Sequence, residues 1–124
     1  MAIVDDEESV RRAMGRLIRS AGIDVETFPS GAEFLQSLES HSPDCVVLDL
    51  HMPGLSGFEV QARLKESQSR VPIVVITGHD TDESRERVTR AGVAAYLSKP
   101  VDEKILLDTI STAVACASGG ESPS

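Results

Sequence analysis

Tryptophan is missing from this sequence and other aromatic residues are scarce, with one Tyr and three Phe in 124 residues. A core without large rings has to be built from Val, Ile, Leu and Ala, and a hydrophobic fraction of 40% supplies enough of them for one packed interior. Basic residues are also few. Lys and Arg number 12 against 20 Asp and Glu, a formal net charge of −8. A chain of this charge repels phosphate backbones, which argues against direct nucleic-acid binding by this domain. No apolar run approaches the ~20 residues that cross a bilayer, and no signal-peptide pattern is present. The expected location is therefore the cytoplasm, with no membrane partner. The two cysteines, Cys45 and Cys116, lie far apart in apolar surroundings and read as reduced packing residues. One domain is expected over residues 1–116, with "ASGGESPS", 117–124, as a flexible tail or the start of a linker.

What the chain does contain is a set of five short apolar runs: "MAIV", "IDVETF", "CVVL", "PIVVIT" and "VAAYL". Four of these show no polar–apolar alternation and read as strands buried on both faces, as in a parallel sheet. In the second, Ile23, Val25 and Thr27 alternate with acids, the pattern of an edge strand. Helical patterns fill the gaps. Val10, Met14, Leu17, Ile18 and Ala21 share one face, with Arg11, Arg12, Arg16 and Arg19 mostly off it and Gly22 as a stop. Ser30 with Glu33, and Ser56 with Glu59, have capping-box spacing. The segment after the fourth run has only Val88 and Ala91 as apolar anchors, and the last helix places Leu106, Ile110, Ala113 and Val114 together. Strand then helix, five times over, predicts an α/β fold with right-handed crossovers and helices on both faces of the sheet.

The residues that follow the runs are not apolar. Asp5 and Asp6 follow the first, Asp49 the third, Thr77 the fourth and Lys99 the fifth. In a parallel sheet these carboxyl ends share one edge, where ligands sit in such folds. Each residue alone has a plain explanation as a cap, a turn residue or a loop. Together they form a chemical constellation. Three carboxylates repel one another unless a cation lies among them, and oxygen donors with room for water suit Mg²⁺. A Lys and a Thr nearby suit the oxygens of a phosphoryl group, and an Asp can itself be the nucleophile that forms an acyl phosphate.

With these residues in place, the chain resembles the receiver domain of bacterial two-component response regulators. The resemblance is carried by "IVDDEESVR", "VVLDLHMPGLSGFE", "PIVVITGH" and "AGVAAYLSKP", in family order over residues 1 to about 116. "ITGH" and "FPSGAEFL" are similar to the FixJ-type subgroup. The resemblance, and not the periodicity, implies a single doubly wound five-stranded parallel sheet with five helices in the flavodoxin-like order 2-1-3-4-5. It also implies a signalling switch rather than an enzyme acting on an external substrate, one that promotes its own phosphorylation and dephosphorylation. Asp49 matches the phosphoacceptor, with a histidine kinase as phosphodonor. Asp5, Asp6, Asp49 and the main-chain oxygen of His51 match the Mg²⁺ site. Thr77 and Lys99 match the switch hydroxyl and the phosphate-binding lysine. Tyr96 matches the aromatic switch position, expected to turn inward as Thr77 moves towards the phosphoryl group. Pro100 matches a proline that follows a cis bond. Two features depart from the pattern. Only four residues precede Asp5, and the helix-turn-helix that a FixJ-type output needs would have to follow residue 124.

Other chemistries are less well served. A flavodoxin needs a phosphate-cradling loop after the first strand, where this chain has "DDEES". An aspartyl phosphohydrolase needs a second Asp two residues after its nucleophile, where this chain has His51, and a P-loop is absent. A receiver fold retained as a non-phosphorylated adaptor should lack Asp49, Thr77 or Lys99, and all three are present. His41 reads as a solvated loop residue, Met52 and Pro53 as residues that shape a loop, and His79 as a residue near the site that could gate it or tune hydrolysis. The sparsely anchored, charged segment carrying Glu83, Arg85, Glu86, Arg87 and Arg90 is a cheap element to shift. Phosphorylation is expected to remodel the face formed by that helix, the fifth strand and the last helix, which then self-associates or docks an output partner.

Overall fold

The computed structural model of the chain describes all residues except 41–42, 53, 68–69 and 120–124, and the side chains of 116–119 are also left aside. His41, Pro53 and the side chain of Cys116 lie outside the described residues. Strands and helices alternate: β1 (Ala2–Val4), α1 (Glu8–Ser20), β2 (Glu26–Phe28), α2 (Gly31–Ser37), β3 (Val46–Asp49), α3 (Gly57–Glu66), β4 (Ile73–Thr77), α4 (Asp82–Ala91), β5 (Ala95–Ser98) and α5 (Glu103–Gly119). The strands form one parallel sheet in the order β2-β1-β3-β4-β5, the doubly wound, flavodoxin-like arrangement.

The apolar runs form strands for the reason that they lack alternation. Every residue of β1, β3 and β4 is buried, so side chains on both faces need apolar cover. That cover is two separate cores. One face carries Val4, Val46, Leu48 and Val75 beneath Phe34 of α2, Val60 and Leu64 of α3 and Val88 of α4. The other carries Ile3, Val47, Val74 and Ile76 beneath Met14 and Ile18 of α1 and Leu106, Ile110 and Ala113 of α5. One strand expectation is corrected. "VAAYL" reads as buried on both faces, but β5 is an edge strand whose Ala95, Tyr96 and Leu97 are half-buried and whose Ser98 is exposed. Its apolar side chains meet only the margins of the two cores.

Local chemistry sets several helix starts. Ser56 and Glu59 make both halves of a capping box, and Ser30 Oγ accepts from the Glu33 N–H. The last helix runs to Gly119. Within the described residues, no helix is long and apolar enough to cross a membrane.

Register places the site. Val4 lies opposite Leu48, Asp49 opposite Ile76, and Thr77 opposite Ser98. The carboxyl ends of β1, β3, β4 and β5 therefore emerge along one edge of the sheet.

Candidate functional site

Asp5 continues β1 by one residue, its N–H donating to the Phe28 carbonyl at 3.2 Å. Its side chain is completely buried. Oδ1 accepts from the Glu7 N–H at 2.9 Å, and the Asp5 carbonyl accepts from Arg11 Nη1 at 2.7 Å, which fixes the turn into α1. Oδ2 is buried without a hydrogen bond; Lys99 Nζ lies 3.1 Å away as an ion-pair partner but without hydrogen-bond alignment. Asp6 is exposed beside it. Asp49 ends β3 and is 3% exposed; its Oδ1 accepts from the His51 N–H at 3.3 Å and its Oδ2 lies 3.6 Å from Lys99 Nζ. Carboxylate oxygens of Asp5, Asp6 and Asp49 all lie within 4.8 Å of one another.

The loop after Asp49 explains the glycines that follow it. Gly54 takes φ 77°, a left-handed turn position. At Gly57 a Cβ would sit 2.4 Å from the Asp49 carbonyl oxygen and 2.6 Å from Leu50 Cα, while the Gly57 N–H donates to the Leu50 carbonyl at 2.9 Å. The start of α3 is thus seated directly on the backbone that presents Asp49, and only a residue without a side chain fits there.

The electrostatics are unbalanced. Burial and the charge of Asp5 push the Asp49 carboxyl up to about 6, with Asp6 adding to the rise and with Lys99 and the His51 N–H opposing it. Burial lowers the Lys99 ammonium, but contacts with Asp5, Asp49 and Glu7 outweigh it and hold the lysine above its ordinary value. One ammonium faces three aspartates and Glu7, whose Oε1 is 3.2 Å from Nζ. An orphaned buried carboxylate oxygen, an excess of negative charge and an all-oxygen donor set fit a hard divalent cation, Mg²⁺ above all.

Thr77 ends β4, fully buried, with its Oγ1 accepting from the His79 N–H at 3.0 Å. The Lys99 N–H donates to the Thr77 carbonyl at 2.8 Å, tying the two strand ends together, and the Lys99–Pro100 bond is cis. His51 and His79 are both exposed beside the site, with ring centroids 5.5 Å apart. Met52 is buried in the core, in keeping with a loop-shaping part. Tyr96 sits apart from the acids, on β5 opposite Val75. Its hydroxyl is buried without a hydrogen bond, and Arg85 lies over its ring at 5.4 Å from the centroid. Burial and the neighbouring Asp80 carboxylate raise the phenol above its ordinary range.

The strand-end residues singled out in the sequence, Asp5, Asp6, Asp49, Thr77 and Lys99, gather at one edge. Glu7, Asp80 and Gln61 escape a reading of the sequence. Glu7 reads as one more acid at a helix start, and Asp80 as one more acid in a polar loop. Gln61 does carry a signal, since it is a polar residue on the otherwise apolar side of α3; it is 4% exposed and donates to the carbonyls of Val88 and Gly92.

Comparison with known proteins agrees with this geometry. Residues 1–111 match the family described as response regulator receiver domain. The chain is 39% identical to nodulation protein W of Bradyrhizobium diazoefficiens over 108 residues, 87% of this chain and 48% of that protein. It is 35% identical to transcriptional regulatory protein FixJ of the same organism over 112 residues, 90% of this chain and 55% of that protein. The chain spans about half the length of these curated relatives. Among solved structures, FixJ-N superposes with a TM-score of 0.85 at 30% identity, covering 92% of this chain and 91% of that one. The sheet order, the family match and the identity to full-length regulators agree: this chain belongs to the receiver domains of two-component response regulators, and its role is phosphorylation-dependent signalling.

Proposed function

We propose that Asp49 is the residue that accepts the phosphoryl group, donated by a histidine kinase. A carboxylate oxygen of Asp49 attacks phosphorus, the P–N bond to the donor imidazole breaks, and the electron pair leaves with that ring. The observation that carries this reading is the convergence of Asp5, Asp6 and Asp49 within 4.8 Å beside the Lys99 ammonium. Asp5, Asp6, Asp49 and the His51 carbonyl are the ligands proposed for Mg²⁺, which when bound supplies positive charge to the carboxylates and to the phosphoryl oxygens. Lys99 holds one phosphoryl oxygen by charge. Thr77, whose hydroxyl now accepts from the His79 N–H, turns to donate to another. His79, exposed two residues after Thr77, gates access to the acyl phosphate or tunes its hydrolysis.

The new group adds up to about two negative charges and three acceptors. Thr77 and Tyr96 pass that change to the face formed by α4, β5 and α5, which pairs with a second copy or with an output partner. The inward turn expected of Tyr96 takes a different form here: with its hydroxyl already buried, the movement repacks the ring beneath Arg85. The likeness to a transcriptional regulator about twice as long as the aligned segment supports an attached DNA-binding output, the receiver itself making no contact with DNA.

Intact mass after incubation with acetyl phosphate and Mg²⁺ tests the assignment. The parent protein is expected to gain one phosphoryl group and Asp49→Asn none. Equal labelling of the two proteins would overturn it.

A further inference from the structure

α4 is tied to the domain differently at its two ends. At its C-terminal end the ties are buried at Val88 and part-buried at Gly92. Val88 is the helix's buried residue, and Gln61 Nε2 of α3 donates to the carbonyls of Val88 at 3.4 Å and Gly92 at 3.3 Å. Midway, Arg87 stacks over Phe58 of α3, 4.0 Å from the ring centroid. At the N-terminal end the ties are exposed and run through one carboxylate. Asp80 Oδ2 accepts from Arg85 Nη2 at 2.6 Å and from Ser98 Oγ at 2.9 Å. Arg85 in turn covers the Tyr96 ring. Ser98 pairs with Thr77 across the strands and adjoins Lys99. A single side chain, three residues after Thr77, thus joins the loop leaving β4, the first turn of α4 and the end of β5. The Ser98 hydroxyl, with Arg85 assisting, holds the Asp80 carboxyl below the usual range, so it stays charged.

We propose that Asp80 is the positioning residue of the switch. Its carboxylate clasps the N-terminal end of α4 and Ser98 around Tyr96 in the unphosphorylated domain, and α4 swings about its C-terminal end, pivoting on Gln61, when the clasp opens. Exposed charged contacts are weak and exchange readily with water, whereas buried amide-to-carbonyl bonds leave unsatisfied groups when broken. The helix therefore releases at its first turn and holds at its last. The trigger rests on the phosphoacceptor role proposed for Asp49: when Thr77 turns from the His79 N–H to a phosphoryl oxygen, the loop that carries Asp80 moves with it. The clasp itself exists without phosphate and is tested without it.

Amide exchange of the full chain, with no phosphodonor present, reads the clasp directly. Asp80→Ala is expected to speed exchange over residues 79–87 by about two- to fivefold, the scale of exposed ion pairs, while 88–92 keeps its parent rate. Asp80→Asn keeps an acceptor for Ser98 but loses the negative charge that pairs with Arg85, so it should fall between. Gln61→Met is expected to reverse the pattern, loosening 88–92 first. Affinity for beryllium fluoride, a phosphoryl mimic, supplies a second readout. Releasing the clasp favours the switched state, so Asp80→Ala should bind the mimic about two- to fivefold more tightly by reciprocity, where a merely structural loss would weaken it. Parent-like exchange over 79–87, or uniform acceleration over 79–92, overturns the clasp. If exchange changes as expected but Asp49 takes no phosphoryl group, the clasp stands and only its trigger fails.

Discussion

Asp49 is held in a place that resists its charge. Its carboxyl ordinarily titrates near 3.8, and burial beside Asp5 raises it to about 6 in the folded domain. A raised carboxylate favours the folded state fully at pH values below 3.8, and that contribution is lost as pH rises through 6. At neutral pH the metal-free domain is therefore destabilised at this residue by on the order of 1–3 kcal/mol. Asp49→Asn removes the charge at nearly constant volume and keeps an oxygen for the His51 N–H. In chelator at about pH 7 the variant is expected to resist urea better than the parent, with the difference shrinking towards about pH 4. A parent protein as stable as the variant at neutral pH would show that the cluster is not strained. The same unfavourable charge explains why the site needs both Lys99 and a cation: the ammonium alone, 3.1 Å from Asp5 and 3.6 Å from Asp49, leaves two aspartates and Glu7 unbalanced.

Among the helices, α4 has the fewest buried residues. Val88 is its buried residue, whereas α1 buries Met14, Gly15 and Ile18 and α3 buries Val60 and Leu64 with Gly57 and Gln61. Val88→Ala removes buried methyl groups from the helix's one buried anchor, at a cost of about 2 kcal/mol. The loss should appear as faster amide exchange across 82–91 with β1 and β3 little changed. If the central strands loosen equally, α4 is part of the cooperative core and is a poor moving part. This sparse anchoring is readable from the sequence, because Val88 and Ala91 are the only apolar side chains in a run of charges. So are β1, β3 and β4, whose unbroken apolar runs match burial on both faces. The edge position of β5 is not readable. Ala95 and Leu97 look like interior residues, and what leaves them only half-buried is that no strand lies beyond β5 among the described residues, a fact of topology that no local pattern carries. The tie from Gln61 to α4 is hidden for a related reason: it joins residues 27 and 31 positions apart.

At the scale of the whole molecule, the acidic edge couples stability to cations. A cation that binds only the folded chain stabilises it by mass action, about 2.7 kcal/mol at a hundred times its dissociation constant. For a domain of this size that is roughly a 10 °C rise in Tm. A thermal melt with and without millimolar Mg²⁺ is expected to show such a rise, and Asp6→Asn, at an exposed position, should shrink the rise while leaving the metal-free melt nearly unchanged. A melt indifferent to Mg²⁺ would count against the site. The site is legible because parallel topology converts "the residue after each strand" into "the residues along one edge"; Glu7 and Asp80 are not, since acids are common in polar loops and nothing local marks the pair that finds a partner. The same central strands carry a consequence of another kind. Cys45 is wholly buried, its carbonyl accepts from the Ala2 N–H at 2.9 Å, and burial, with the charge of Asp44, pushes its thiol up to about 11. It cannot meet a thiol reagent until the middle of the sheet parts. In a Cys116→Ser background Cys45 becomes a built-in stopwatch: its labelling should run at the pace of global opening, slow further with Mg²⁺, and ignore the clasp at Asp80. Labelling as fast as a free thiol in native buffer would mean that the middle of the sheet opens far more readily than its burial implies.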